Sequence, residues 1–342
     1  MIAFLWFFLF ATAHHDSWWS IKTSGVNSNL RGLSVVLHDD NSRESTVWAS
    51  GSNGVILRST NNGRHWTHIH ISKAESLDFR GVKAFDDKTA YVMASGEGAK
   101  SAIYKTVDGG KNWTLQYSDA RNSFFLDALV CKDATHCFAL SDPVDGKFLL
   151  LATEDGEHWH ELPRDKMPDA LPKEGVFAAS NSALVLAGYE DLYFGTGGPK
   201  ARIFHSSDLG RSWSVSETPI FSGSDGAGIF SLTAEWGHLM AVGGDYKNPK
   251  LAERNAAYSD DGGKTWRLSA TSPTGYCSAI AEHLGRYIAV GPSGTEIAND
   301  RDNWSPIDLR PFNAVESSID EVWAVGPKGT IARFVDHAIL SL

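Results

Sequence analysis

A seven-bladed, all-β propeller is the fold the sequence predicts, on three observations. A tryptophan-ended octapeptide recurs six times, closing at Trp66, Trp113, Trp159, Trp213, Trp266 and Trp304, with spacings of 47, 46, 54, 53 and 38 residues. That is the period of a four-stranded sheet repeated around an axis. The composition is that of a turn-rich β protein, with 32 glycines, 12 tryptophans and 42% hydrophobic residues in a chain of 342. Glycine serves hairpins and aromatic rings fill the layers between sheets. Finally, seven apolar runs stand at matching places in the repeat, at residues 30–36, 79–85, 126–131, 175–180, 228–233, 276–281 and 312–317. They are read as the innermost strands of seven blades.

The octapeptides approximate Ser/Thr-x-Asp-x-Gly-x-x-Trp. The pattern is fullest in Thr106/Asp108/Gly110/Trp113, Ser206/Asp208/Gly210/Trp213 and Ser259/Asp261/Gly263/Trp266. A short oxygen-bearing side chain bonds backbone a few residues on, glycine takes the positive-φ position, and the indole packs under the turn. The motif is thus structural. The first copy carries Asn61, the copy ending at Trp159 aligns Glu154 with the aspartate, and the copy ending at Trp304 aligns Asn299 and Arg301 with aspartate and glycine.

The seventh blade continues through Val322 to Phe334 without a further tryptophan segment, so it lacks a strand. Trp18-Trp19-Ser20-Ile21-Lys22 has the aromatic and β-branched content to supply it, which would close the ring through its two termini and leave no open edge.

Residues 2–10 are unbroken hydrophobic, Ala11-Thr12-Ala13 reads as a small-x-small cleavage site, and polar residues follow. The expectation is an export signal over 1–13, a single propeller over 14–342, and a secreted or periplasmic mature protein without a membrane span. An N-terminal His14-His15 after cleavage could bind copper, with a solvated linker as the plainer reading; no metal or cofactor is called. Cys131 and Cys137 flank a five-residue polar turn and can pair as a disulfide across a hairpin, the alternative being two buried thiols; Cys277 reads as core. The formal charge of −10 and the lack of a basic run speak against nucleic acid.

In a four-stranded meander the starts of the innermost strands, the blade-to-blade connections and the second-to-third turns share one face, and the tryptophan turns lie on the other. Aligning innermost strands on their first apolar residue places Arg31, Arg80, Asp127, Glu174, Ala227, Cys277 and Asn313 at the channel mouth. Two second-to-third turns look expanded, 188–201 and 243–255, adding Tyr189, Arg202, Asp245, Tyr246 and Arg254. Two readings stand. The charges are salt bridges holding adjacent blades, or a polar pocket in which Arg31 and Arg80 grip a carboxylate or phosphate while Asp127 and Glu174 act as acid or hydroxyl acceptor. The binding set named from sequence is Arg31, Arg80, Asp127, Glu174, Arg202, Asp245, Tyr246 and Arg254.

The octapeptide is similar to the Asp-box of sialidase-like propellers. Segments such as Phe125-Leu126-Asp127-Ala128, Ser141-Asp142-Pro143-Val144-Asp145-Gly146-Lys147-Phe148 and Val242-Gly243-Gly244-Asp245-Tyr246 resemble bacterial exported Asp-box propellers labelled oxidoreductase-like or glycosyl-hydrolase-like. More distantly the chain resembles photosystem II stability/assembly factors. The assembly-factor resemblance implies a seven-bladed binding protein that holds a partner polypeptide; the expectation for this chain is a monomeric, non-catalytic scaffold for a protein or glycan. The sialidase resemblance implies three arginines on a carboxylate, an aspartate acid and a tyrosine nucleophile with a glutamate, types that Arg31, Arg80, Arg202, Asp127, Tyr276 and Glu174 could furnish. The Phe/Tyr-Arg-Ile-Pro signature of that family is absent, Asn29-Leu30-Arg31-Gly32 standing in its place.

Overall fold

A computed structural model describes residues 17–38 and 44–335. The expected export signal and His14-His15 lie outside the described residues. Seven antiparallel sheets follow one another around an axis. The first blade is typical, with strands Leu30–Leu37, Ser45–Gly51, Ile56–Ser59 and Thr67–Ile69 running outward in sequence order. Second strands such as Ser45–Gly51, Ala90–Ala94 and Val322–Val325 are buried along their whole length, because each is covered by neighbouring blades on both faces. Among the described residues, no helix is long and apolar enough to cross a membrane.

The ring closes as the sequence predicts. Trp19–Lys22 pairs antiparallel with Ile331–Phe334, Trp19 opposite Phe334 and Lys22 opposite Ile331. Trp19 lies tilted against Phe312 at 4.9 Å and edge-on to Phe334 at 5.1 Å, and its indole N–H donates to Thr295 Oγ1 of the sixth blade at 3.0 Å. The closing strand therefore ties two blades.

The three full tryptophan turns share one set of hydrogen bonds. The Thr106 hydroxyl accepts from the Gly110 amide, Asp108 Oδ1 accepts from the Asn112 amide, and the Trp113 indole donates to Gly110 O; the turns ending at Trp213 and Trp266 repeat the pattern. The backbone and side-chain donors of Asn112 hold Asp108 down to about 2, and the side-chain hydroxyl and backbone amide of Thr265 do the same for Asp261. Two copies correct the sequence alignment. In the turn ending at Trp159 the acceptor is Asp155, not Glu154, and Gly156 donates to Thr153 Oγ1. In the turn ending at Trp304 the acceptor is Asp300, not Asn299. Both turns place the carboxylate four residues before the tryptophan instead of five, and it still accepts the amides of the turn. The sulfurs of Cys131 and Cys137, residues paired directly across their hairpin, are 2.01 Å apart.

The fourth blade departs from expectation. Residues 175–180 do not form its innermost strand; Leu184–Ala187 does, followed by Asp191–Gly195, Arg202–Ser206 and Ser214–Glu217. Residues 188–201 are therefore not one loop. Tyr189 sits in the first-to-second turn, on the tryptophan-turn face, and only residues 196–201 turn on the mouth face. The displaced segment 176–182 becomes a strap across the channel. Its Asn181 takes the Leu129 amide on Oδ1 (2.7 Å) and donates from Nδ2 to Leu129 O (2.9 Å), while Ser180 donates to Ser278 O (2.8 Å) and Ser182 bonds Ser231 (2.6 Å). The strap thus touches the third, fifth and sixth blades. A Cβ on Gly81 would sit 2.5 Å from Asn181 Oδ1, so glycine is needed for the strap to pass.

Candidate functional site

Four innermost strands carry the same irregularity near their start. Register shifts fall between Leu30 and Gly32, Phe79 and Gly81, Leu126 and Ala128, and Ile229 and Ser231. The residues left over are Arg31, Arg80, Asp127 and Phe230. A bulge re-aims its side chain, and all four line one funnel of about 550 Å³ above the strap. Ser278 and Asn313 line it from the sixth and seventh blades. The sequence signal is a large apolar residue, the funnel residue, a small residue and another apolar one: Leu30-Arg31-Gly32-Leu33, Phe79-Arg80-Gly81-Val82, Leu126-Asp127-Ala128-Leu129, Ile229-Phe230-Ser231-Leu232, and in altered form Cys277-Ser278-Ala279-Ile280 and Phe312-Asn313-Ala314-Val315. Alignment on the first apolar residue found Arg31, Arg80, Asp127 and Asn313 but chose Ala227 and Cys277 where Phe230 and Ser278 face the funnel.

The strap forms the funnel floor, and both arginines hold it. Arg31 Nη1 donates to Ala179 O at 3.3 Å and Arg80 Nη1 to Ala178 O at 3.1 Å, while Arg80 Nε pairs with Asp78 Oδ2 at 2.8 Å. Burial, then the neighbouring Arg80, holds the Arg31 guanidinium below its ordinary value. Beside them Asp127 is 1% exposed, and neither carboxylate oxygen has a hydrogen-bond partner. Burial, reinforced by Asp142, pushes its carboxyl well above the usual range. Asp142, which the sequence reading had outside its binding set, also lines the funnel; its Oδ1 accepts from the Val176 amide at 2.9 Å and burial raises it to about 6.

The wall opposite is aromatic. Phe177 of the strap stacks on Phe230 at 3.9 Å, Tyr246 stands edge-on to both at 6.3 Å, and Tyr276 is edge-on to Phe230 at 4.6 Å. The funnel therefore sets two guanidinium groups and two acids raised by burial against four rings.

The remaining sequence-named residues lie elsewhere. Glu174 and Arg202 bind each other: Arg202 Nε donates to Glu174 Oε1 at 2.7 Å, Nη2 bonds Oε2, and Thr196 and the Leu171 amide complete the carboxylate at 2.6 and 2.8 Å. This is a buried, fully satisfied pair. Asp245 ties its own loop through the Lys247 amide (2.9 Å) and Ser224 (3.2 Å). Arg254 lies over Phe221 at 5.3 Å and pairs with Glu253 at 3.4 Å. With Arg202 and Glu174 bound to each other, the three-arginine, tyrosine-glutamate set of a sialidase is not assembled. Below the strap, a second cavity of about 310 Å³ is lined by Lys83, Ser180, Asn181, Ser182 and Glu316. Burial raises Glu316 to about 7, against the opposing pull of Lys83. Among the described residues, no group of three or more His, Cys, Asp or Glu could hold a metal ion.

Comparison with known proteins places this geometry among Asp-box propellers. Residues 11–167 match the family model "Photosynthesis system II assembly factor YCF48", and residues 257–268 match the BNR/Asp-box repeat. No curated protein matches. Among solved structures, one described as YCF48 bound to D1 peptide is 12% identical with a TM-score of 0.61, over 94% of this chain and 96% of that one. YCF48 from Cyanidioschyzon merolae is 13% identical with a TM-score of 0.63, over 93% and 99%. Virginiamycin B lyase from Staphylococcus aureus is 12% identical with a TM-score of 0.65, over 93% and 100%. The chain is thus a BNR-repeat propeller similar to photosystem II assembly factors. The presence of a lyase at the same similarity means that the fold alone does not assign an activity.

Proposed function

We propose that this protein is a non-catalytic scaffold, working outside the cytoplasm, that receives a segment of a partner protein in the funnel on its mouth face. The observation carrying this reading is the funnel itself: Arg31, Arg80 and the unpartnered Asp127 facing Tyr246, Tyr276 and Phe230. An extended peptide offers carbonyls and a carboxylate to the guanidinium groups, amide N–H donors to Asp127, and side chains to the rings. The solved relative described as bound to a D1 peptide supports a polypeptide ligand for this type of propeller.

The test is selection of extended peptides from a random library on wild type, Tyr246→Ala and Asp127→Asn. Tyr246 is half exposed, and its loss leaves the hydrogen bonds of the strap intact. The expected result is peptide binding weakened about tenfold or more by either change. Peptides held equally by all three proteins would place the binding face elsewhere. Hydrolysis of a sialoside or glycoside panel, abolished by Asp127→Asn, would replace the scaffold reading with a glycosidase in which Asp127 and Asp142 are the two carboxyl groups.

A further inference from the structure

On the opposite face, four consecutive blades each end their first hairpin in an exposed apolar side chain: Tyr189 (79% exposed), Trp236 (91%), Leu284 (63%) and Ile319 (79%). The corresponding tips of the second and third blades are polar, 86–88 and 132–136. Lys132 of the third blade lies over the Tyr189 ring at 5.5 Å, so neighbouring tips share one level.

Local geometry makes these residues more than stray surface hydrophobes. Glu235 pairs with His238, and His283 with Arg286, so Trp236-Gly237 and Leu284-Gly285 are two-residue turns. Trp236 and Leu284 occupy the first central position at φ 51° and 52°, where asparagine, aspartate or glycine is preferred and a bulky apolar residue is disfavoured. Folding and solubility would both be served better by asparagine. Each tip also carries a carboxylate beside its apolar group: Glu190, Glu235, Glu282 and Asp320.

We propose that this crescent docks on the surface of a zwitterionic lipid bilayer, the four apolar side chains entering the interfacial zone while the carboxylates meet the outermost, ammonium end of the headgroups. Tryptophan and tyrosine favour that zone, aliphatic tips add buried apolar area, and an aromatic ring beside a carboxylate suits a quaternary ammonium. The same carboxylates disfavour an anionic surface. The chain's own layout agrees: Trp19 pairs with Phe334 at the tryptophan-turn end of the seventh blade, so the described chain enters the ring from the docking side. This surface is independent of the funnel.

The experiment uses the full chain and a Trp236→Ser/Leu284→Ser/Ile319→Ser variant, so that residues 2–10 contribute equally to both. Partitioning onto phosphatidylcholine vesicles should fall about tenfold or more in the variant, and wild type should bind phosphatidylglycerol vesicles more weakly than phosphatidylcholine. Brominated phosphatidylcholine should quench wild-type fluorescence more than that of Trp236→Phe. Equal partitioning of wild type and variant, or quenching unchanged by Trp236→Phe, would overturn the proposal. So would a wild-type dimer in sedimentation that the triple variant abolishes, which would give the crescent to a second copy of the chain.

Discussion

The fourth and seventh blades both depart from a plain four-stranded meander, in opposite directions. The seventh is short by a strand and takes in Trp19–Lys22 from the far end of the chain. The fourth has a surplus, and lays residues 176–182 across the channel before its first strand begins at Leu184. The first device works through an edge: ladder hydrogen bonds plus a large ring packed between two blades. The second works through polar side chains bonding across the channel, with Phe177 stacked on Phe230 as its one large ring. Closure should therefore dominate global stability, whereas the strap shapes the cavities above and below it.

That contrast can be broken at its strong end first. Deleting residues 1–22 exposes the edge of Ile331–Phe334 and uncovers Phe312, so the single cooperative unfolding transition should be lost, as checked by denaturant titration followed by near-ultraviolet circular dichroism. In the intact chain, Trp19→Ala should cost about 3–5 kcal/mol. An unchanged midpoint in either protein would show that the ring holds without its closing strand.

Asn181→Ala tests the strap. It leaves the amide and carbonyl of Leu129 without their partner, a cost of about 2 kcal/mol by urea unfolding, smaller than the loss of Trp19. A cost equal to that of Trp19→Ala would mean that the strap is as structural as the closure.

The smallest effect separates the two sides of the strap by pH. Asp127 and Asp142 above it and Glu316 below it have folded values raised over their unfolded ones, Asp142 to about 6 and Glu316 to about 7. The folded state then binds more protons than the unfolded state, so stability falls as pH rises from about 4 to 7. Glu316→Gln should be neutral at pH 4 and stabilising by on the order of 1 kcal/mol at pH 8, read from melting temperatures. Identical slopes for wild type and variant would remove Glu316 from the account.

The blades, the tryptophan turns and the closing strand were legible in the sequence because each is written as a repeat or as the one gap in a repeat. The strap was not, because 175–180 is as apolar as the true strand Leu184–Ala187 and stands where a strand is due. The spacing of 54 residues between Trp159 and Trp213 announces a surplus in that blade, but periodicity does not say which run moves. At the funnel, Arg31, Arg80, Asp127 and Tyr246 were found, whereas Glu174, Arg202, Asp245 and Arg254 lie outside it. Alignment on the first apolar residue misplaces the side chain by one position where an extra apolar residue stands in front, as Tyr276 does before Cys277 and Ser278. The partnership of Glu174 with Arg202 is a matter of folded geometry, invisible to residue type.

Ring closure also sets an order of events during synthesis. The strand Trp19–Lys22 is made before any of the blades, and its partner Ile331–Phe334 lies some 309 residues later. At roughly 10 residues per second that is a wait of about half a minute, during which two adjacent tryptophans and an unpaired edge have no native partner. Six blades can mature one after another in that interval, but the seventh is completed only when the earliest and latest strands of the ring meet, which makes an interruption of synthesis a hazard particular to that blade.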